Sequence, residues 1–286
     1  MMSIVLEILL VLIIAIVWHA KSGEEEKQPT VVSGDAVEIH VIDVGQGDST
    51  LIKTKDGNIL IDAGPGDHED ELVSYLSSVD VTSFKYCIFT HPHEDHIGGA
   101  DLIIEGFDVE NVIMSHAVTS TVTFERLLGA LEESEADVFE ANAGDVYKVG
   151  EVSVRILAPI NKTDDRDLNN SSVIASVEYG EVNMIFTGDA EEIEERDILE
   201  SPYRKYLDAD FLKTGHHGSS TSSCDEFLDA VTPRIASISC GEGNSYGHPH
   251  AETLDKFSDR GIRSYRTDEL GSIVFLCDGK TIEINE

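Results

Sequence analysis

The chain is short of cations. Across 286 residues, 20 lysines and arginines stand against 55 aspartates and glutamates, a formal charge of −35. Affinity for a nucleic-acid backbone comes mainly from Lys and Arg neutralising its phosphates, so this balance counts against tight, nonspecific DNA binding. Cysteine is scarce too. Cys87, Cys224, Cys240 and Cys277 show no C-x-x-C spacing, and three of them sit in apolar strand-like runs, which reads as buried free thiols. Export would permit a disulfide, but the spacing pairs none of them. No internal repeat is visible beyond an alternation of strands and helices. Low hydrophobicity is not among the shortages: 41% of the residues are hydrophobic, ample for a buried core, and a disordered chain is excluded.

One long apolar run exists, Ile4 to Trp18, interrupted only by Glu7. A helix over residues 1–20 would measure about 30 Å, roughly a bilayer core. Glu7 costs at most a few kcal/mol near the helix end, while the aliphatic residues each contribute about −0.3 to −0.6 kcal/mol, so insertion is expected. No Lys or Arg precedes the run, and Ala20-Lys21-Ser22 resembles a small-residue cleavage site, which leaves a membrane anchor and a cleaved signal both open. Residues 21–35 are polar, with Glu24, Glu25, Glu26, Pro29 and Gly34, and read as a flexible acidic linker. The folded domain is expected over 36–286, extracytoplasmic if anchored, or secreted.

Within it, three strands open the domain (Val37–Val44, Ser49–Thr54, Asn58–Asp62), and helices are expected at Glu69–Val79, Ile97–Gly106, Val122–Glu135, Glu191–Glu200, Ser223–Val231 and Glu252–Arg260. Strand runs and helices alternate in an order that suits two packed sheets with helices outside. The apolar run Phe84–Phe89 leads straight into Thr90-His-Pro-His-Glu-Asp-His-Ile-Gly-Gly99. Four potential ligands thus fall within six residues. His91 and His93, two apart in extended chain, point the same way and suit one ion; Asp95 and His96 fall on the other side of the loop and suit a second. Nitrogen and carboxylate donors of this kind match Zn²⁺, Mn²⁺ or Fe. Other strand ends supply Asp62, Gly188-Asp189 and Gly215-His216-His217-Gly218.

These residues resemble the metallo-β-lactamase superfamily, through Leu60-Ile-Asp-Ala-Gly64, the His91–His96 cluster, Asp189 and the later His. More narrowly they resemble the hydrolase domain of ComEC-type DNA-uptake proteins, through Asp43-Val-Gly-Gln-Gly-Asp48, Leu212-Lys-Thr-Gly-His-His-Gly-Ser219 and Asn244-Ser-Tyr-Gly-His-Pro249. The resemblance implies a four-layer αββα sandwich holding two divalent metal ions, Zn or Mn. His91 and His93 would hold one ion; Asp95, His96 and His217, or else His216, the other; Asp189 would bridge. Asp62 and Asp48 would support the ligands from behind. The superfamily's third-motif His is replaced by Asn169-Asn-Ser-Ser172, which leaves the first ion more open and offers Asn169 and Ser172 to substrate. A metal pair activates water and clamps a phosphoryl group, so phosphodiester hydrolysis is expected, with single-stranded DNA as a substrate. Asp95 is placed with the catalytic ligands, and His216 or His248 would protonate the leaving oxygen. Ser219, at an expected helix start, with Asn244 and Tyr246, would contact substrate. A role in DNA uptake would require a separate channel protein as partner. The rival expectations are a phosphoesterase acting on lipid head groups or cell-wall phosphate, lactam or thioester hydrolysis, and a non-catalytic binding module on the same fold.

At molar salt the Debye length falls to about 3 Å and self-repulsion among the carboxylates is screened. The acidic composition therefore predicts a protein built for high salt. Its unfolding midpoint should rise between about 0.1 and about 1 M KCl, followed by circular dichroism; an unchanged midpoint would count against this reading.

Overall fold

Apolar residues in the strands fall on both faces in turn, and each face finds its own layer. The computed structural model describes residues 36–161 and 167–285. The expected apolar segment 1–20 and linker 21–35 lie outside the described residues, and no helix among the described residues is long and apolar enough to cross a membrane. In chain order the first half holds β1 (Val37–Val41), β2 (Thr50–Thr54), β3 (Gly57–Ile61), α1 (Glu69–Ser78), β4 (Ser83–Phe84), β5 (Tyr86–Phe89), α2 (Glu94–Ile97), α3 (Ala100–Gly106), β6 (Asp108–Val109), β7 (Asn111–Met114), α4 (Val122–Glu133), β8 (Asp137–Glu140), β9 (Val146–Val149) and β10 (Val152–Ala158). The second half holds β11 (Ile174–Tyr179), β12 (Val182–Phe186), α5 (Glu192–Glu200), β13 (Phe211–Lys213), α6 (Asp225–Val231), β14 (Ile235–Ile238), α7 (Ala251–Arg260), β15 (Arg263–Arg266), α8 (Thr267–Leu270), β16 (Ile273–Cys277) and β17 (Ile282–Ile284).

Among the described residues an eight-stranded sheet runs β17-β16-β1-β2-β3-β5-β7-β8 and a seven-stranded sheet runs β15-β14-β13-β12-β11-β10-β9. Inward residues of both sheets, among them Ile39, Ile59, Ile88, Val154, Met184 and Phe211, form the central core. Their neighbours in sequence face the other way. Leu60, Cys87 and Phe89 pack under α1, α3 and α4 with Leu72, Ile103 and Phe124, and Ile185, Leu212 and Ala236 pack under α5, α6 and α7 with Ile198, Phe227 and Phe257. The result is the expected order of helix, sheet, sheet and helix layers. All four cysteines are buried and free.

Each sheet is antiparallel where it starts and parallel where it ends. In the first, β1-β2-β3 is an antiparallel meander and β3-β5-β7-β8 is parallel; in the second, β9 to β12 are antiparallel and β12-β13-β14-β15 parallel. Parallel neighbours send their carboxyl ends to the same edge, where open α/β sheets bind ligands. Asp62 follows β3, His91 follows β5, Asp189 follows β12 and His217 follows β13.

Two expected helices differ. The helix expected over 97–106 starts earlier, at Glu94 inside the ligand cluster, and is interrupted by Gly98-Gly99 before α3. Gly98 keeps helical backbone and the chain leaves the helix at Gly99, while Gly98 presses on the loop after β3: a Cβ there would overlap the Gly66 nitrogen and the Pro65 carbonyl carbon. The helix expected from Ser223 begins at Asp225, so the Ser219–Ser223 run is loop and not a helix start. The strand β8 was not expected, because its residues are all exposed and no alternation marks it.

Helix α5 is tied to that loop by a buried carboxylate. Glu195 Oε1 and Oε2 accept the Ser223 and Cys224 N–H groups at 2.6 and 2.8 Å, and burial pushes its pKa up to about 7 in spite of those donors. Beside it, burial also pushes Glu194 up to about 7.

Two predictions follow from these contacts. Gly98→Ala should cost several kcal/mol, since both overlapping atoms belong to backbone that cannot swing aside; a thermal midpoint within about 1 °C of the parent would contradict this. A carboxyl group whose pKa is higher in the fold than in the unfolded chain stabilises most below the unfolded value and loses that contribution as pH rises. Glu195 should therefore make stability fall between about pH 4.5 and about pH 7, by roughly 1.4 kcal/mol per unit at most. In Glu195→Gln the difference from wild type should shrink steadily across this window in urea titrations, and a pH-independent difference would refute it.

Candidate metal centre

The centre is built around one buried histidine held between two carboxylates. Asp62, at the end of β3 with φ of 59°, accepts the Thr90 N–H on Oδ1 and the Thr90 hydroxyl on Oδ2, both at 2.7 Å, so it is oriented by the start of the ligand loop. Its Oδ2 also lies 2.7 Å from His96 Nδ1. That fixes which nitrogen His96 turns outward. His96 Nε2 then faces Asp189 Oδ1 at 3.1 Å. The two atoms are buried, and neither has a hydrogen-bond partner of acceptable geometry.

Asp189 stands on the tight turn Thr187-Gly188-Asp189. Gly188 has φ of 51°, and a Cβ there would run into the Thr90 side chain, so the two ligand loops meet backbone to side chain at this point. Ser172 Oγ accepts the Asp189 N–H at 3.1 Å. From the third loop, His217 Nε2 comes within 3.2 Å of Asp95 Oδ2 and 3.5 Å of Asp189 Oδ2, while its Nδ1 faces the Ser239 carbonyl at 3.0 Å. Both His216 and His217 have left-handed backbone, φ 47° and 54°. For L-residues that conformation costs roughly 1–2 kcal/mol each, and such strain concentrates at functional sites.

Asp95, His96, Asp189 and His217 each bring a donor atom to within 4.8 Å of the others. His91 and His93 meet with Nε2 and Nδ1 2.9 Å apart, and His91 Nε2 lies 4.0 Å from Asp189 Oδ2, which makes this the looser half. His216 stands apart: its Nδ1 lies 3.0 Å from Glu191 Oε1, and its Nε2 is 3.8 Å from Asp189. The geometry therefore puts His217 rather than His216 in the four-residue group.

The electrostatics want a cation there. Burial alone would raise the Asp189 pKa, but His96, His217 and His91 hold it well below the usual carboxylate range. Burial would lower the pKa of His96, yet Asp189 and Asp62 hold it well above its ordinary value. Burial drives His91 far down, which keeps that imidazole neutral and its lone pair available. Orphaned donor atoms and a nitrogen and oxygen ligand set fit divalent ions that accept His and Asp donors.

Behind the ligands, Asp48 is buried, and its Oδ2 accepts from Lys213 Nζ at 2.8 Å; the same ammonium donates to the Thr214 carbonyl at 3.0 Å. The Asp48 amide donates to the Asp95 carbonyl at 3.0 Å, tying the Gly-Gln-Gly-Asp turn to the ligand loop. A lysine 3% exposed is almost always paired, as here. Sequence reasoning missed Lys213, and also Glu191, whose carboxylate collects His216, the Thr221 hydroxyl at 2.7 Å and Asn169 at 3.5 Å. It missed Asn170 as well, whose Oδ1 accepts the Glu191 and Glu194 N–H groups at the start of α5. The adjacency of Lys213 to the His216-His217 motif was the one available signal.

Four expected roles need correction. Ser172 is fully buried, and its hydroxyl serves the Asp189 amide, so it positions that carboxylate and does not reach substrate. Ser219 is buried in its loop, with Oγ 3.0 Å from Thr221 Oγ1, and it does not line the cleft. Asn244 spends its side chain on its own loop, donating to the Gly241 and His248 carbonyls and accepting the His248 N–H. His248 lines the cleft beside His216 and His217, and burial first, then His217, His216 and His250, push its pKa down to about 4, which weakens its expected role as the proton donor. Asn169 and Tyr246 do line the cleft, with His93, Asp95, Asp189, His216 and His217; the cleft holds about 580 Å³.

Residues 42–242 match the family described as the Metallo-beta-lactamase superfamily. ComE operon protein 3 of Bacillus subtilis (strain 168) is 31% identical over 256 residues, 83% of this chain and 33% of that protein. Competence protein ComA of Neisseria gonorrhoeae is 27% identical over 258 residues, 89% of this chain and 34% of that one. The chain thus spans about a third of the length of these relatives. Among solved structures, the metallo-beta-lactamase fold protein YhfI from Bacillus subtilis aligns with a TM-score of 0.58 at 12% identity, over 85% of this chain and 100% of that one, a likeness of fold alone. On the family match and these relatives, the chain belongs to the metallo-β-lactamase superfamily and lies near the ComEC-type competence proteins within it.

Proposed function

We propose that the protein is a two-metal phosphodiesterase acting on single-stranded DNA or another phosphodiester. The observation that carries this reading is the convergence of Asp95, His96, Asp189 and His217 at the floor of an open cleft, with His91 and His93 beside them. His91, His93 and Asp189 would hold the looser ion, and Asp95, His96, His217 and Asp189 the other; zinc or manganese suits both sets. When bound, such a pair supplies Lewis acidity toward a phosphoryl oxygen and makes water nucleophilic near neutral pH.

The remaining work falls to the chain's own residues. Asp62 and the Ser239 carbonyl hold His96 and His217 by their inner nitrogens, so that the outer nitrogens face the cleft floor. His216 is partly exposed, with 22% of its side chain accessible, and its Nδ1 is held by Glu191. It is therefore the group placed to give a proton to a departing oxygen. Asn169, which takes the place of the family's third-motif histidine, presents an amide to the looser half of the site, where a phosphoryl oxygen would enter. The expected setting is a domain outside the cytoplasm, tethered through the apolar segment 1–20 or secreted, with a separate channel protein as partner if the role is DNA uptake. The names of the competence relatives bear on the DNA-uptake role alone.

With Mn²⁺ or Zn²⁺ the purified chain should cleave single-stranded DNA and bis-p-nitrophenyl phosphate, and Asp189→Ala should bind less metal and lose both activities. Asp62→Asn should lower metal affinity or turnover by about 10–100-fold while the fold persists. Metal content by mass spectrometry is the second readout. An Asp189→Ala variant with wild-type metal content and turnover would refute the assignment.

A further inference from the structure

Tyr246 is 66% exposed at the cleft, yet it is not loose. Its ring stacks on His248 at 5.7 Å with the planes 21° apart, and His248 stacks in turn on His217 at 6.1 Å and 26°. An aromatic ladder therefore runs from the mouth of the cleft to the metal centre. The loop that carries it is held from within by Asn244, which binds both the N–H and the carbonyl of His248, and from outside by His250 Nε2, 3.3 Å from the Tyr246 carbonyl. One face of Tyr246 is thus committed to His248 while the ring as a whole stays largely open to solvent.

The charges around the cleft point the same way. Apart from the metal-ligand candidates Asp95 and Asp189, its described lining carries Asp67 and Glu94 but no lysine or arginine. A strand tracked along its backbone would set successive phosphates against those carboxylates. Proteins that follow single strands combine stacking aromatics with a basic groove, and only the first of these is present among the described lining residues.

Resting on the phosphodiester reading above, we propose that Tyr246 is the platform on which a nucleobase stacks, and that the cleft takes a single phosphodiester flanked by a base, such as a strand end or a dinucleotide. Recognition then comes from the aromatic face and not from the polyanion. Binding should be indifferent to salt or strengthened by it, the reverse of a phosphate-tracking protein.

The test uses the full chain with Mn²⁺ and a phosphorothioate-linked dinucleotide that carries 2-aminopurine, whose fluorescence is quenched on stacking. Wild type and Tyr246→Phe should quench it, with the same or higher affinity at about 1 M than at about 0.1 M KCl. Tyr246→Ala, a change at an exposed ring whose fold is checked by circular dichroism, should bind at least about tenfold more weakly and leave the fluorescence unquenched. Equal quenching by Tyr246→Ala, a steep loss of affinity with salt, or no binding by wild type would each overturn the proposal. The two readings fail separately. A wild type that hydrolyses bis-p-nitrophenyl phosphate but does not quench the probe refutes the platform alone. One that quenches but never hydrolyses supports the platform and refutes the phosphodiesterase.

Discussion

The line Asp62, His96, Asp189 is the constraint on which the rest of the molecule depends. It joins the end of a strand in one sheet to the end of a strand in the other through a single imidazole, buried throughout. Two carboxylates out of water are costly unless a cation lies between them. Without a metal, a proton on His96 would be that cation; with one, His96 Nε2 and Asp189 would be the ligands and Asp62 would go on holding His96 by its inner nitrogen. The sandwich must therefore hold its two sheets in a register that keeps these side chains within about 3 Å of one another. The large apolar core between the sheets, from Ile39 to Phe275, is what fixes that register.

Each sheet reaches this line by the same route. An antiparallel set of strands leads into parallel ones, and the first parallel strand ends in a carboxylate: β3 in Asp62 and β12 in Gly188-Asp189. The next parallel strand in each sheet ends in histidines, His91 after β5 and His216-His217 after β13. The two halves are not equal in strain. The first histidine set follows extended chain, whereas the second needs two successive left-handed residues, a cost of a few kcal/mol that the packed loop around Gly215 and Gly218 must bear. The contacts of Glu195 with Ser223 and Cys224 help to bear it, because they tie the far end of that loop to α5.

What the sequence made legible was what is written locally. His91 to His96 fall within six residues, Asp62 and Asp189 close apolar strands, and near-continuous apolar runs announce strands that are covered on both faces. The need for glycine at 98 was not legible, because what presses on it is the backbone of Pro65 and Gly66, more than thirty residues away. Lys213 and Asp48 are 165 residues apart, and neither alone signals a buried pair. Ser172 and Asn244 were read as contacts for substrate because a hydroxyl and an amide beside ligands suggest it. In the fold both are consumed by backbone groups that would otherwise be buried without partners, a demand that only the three-dimensional arrangement reveals. His248 shows the same limit: its position in the motif is local, but its lowered pKa follows from burial and then from three other histidines gathered around it.

The net charge and the cleft pose one electrostatic question. A surface with 35 more acidic than basic charges would slow the approach of any polyanion, and the cleft lining repeats that bias with Asp67 and Glu94. Within the site, however, the carboxylates are compensated: Asp48 by Lys213, Asp62 and Asp189 by His96, and Asp95 by His217. Divalent ions in place of the shared protons would add positive charge at the floor while leaving the rim negative. A field of that shape attracts one phosphoryl group at short range and repels the next one along the chain. It favours a substrate whose neutral part is recognised separately, and the exposed ring of Tyr246 lines the same cleft.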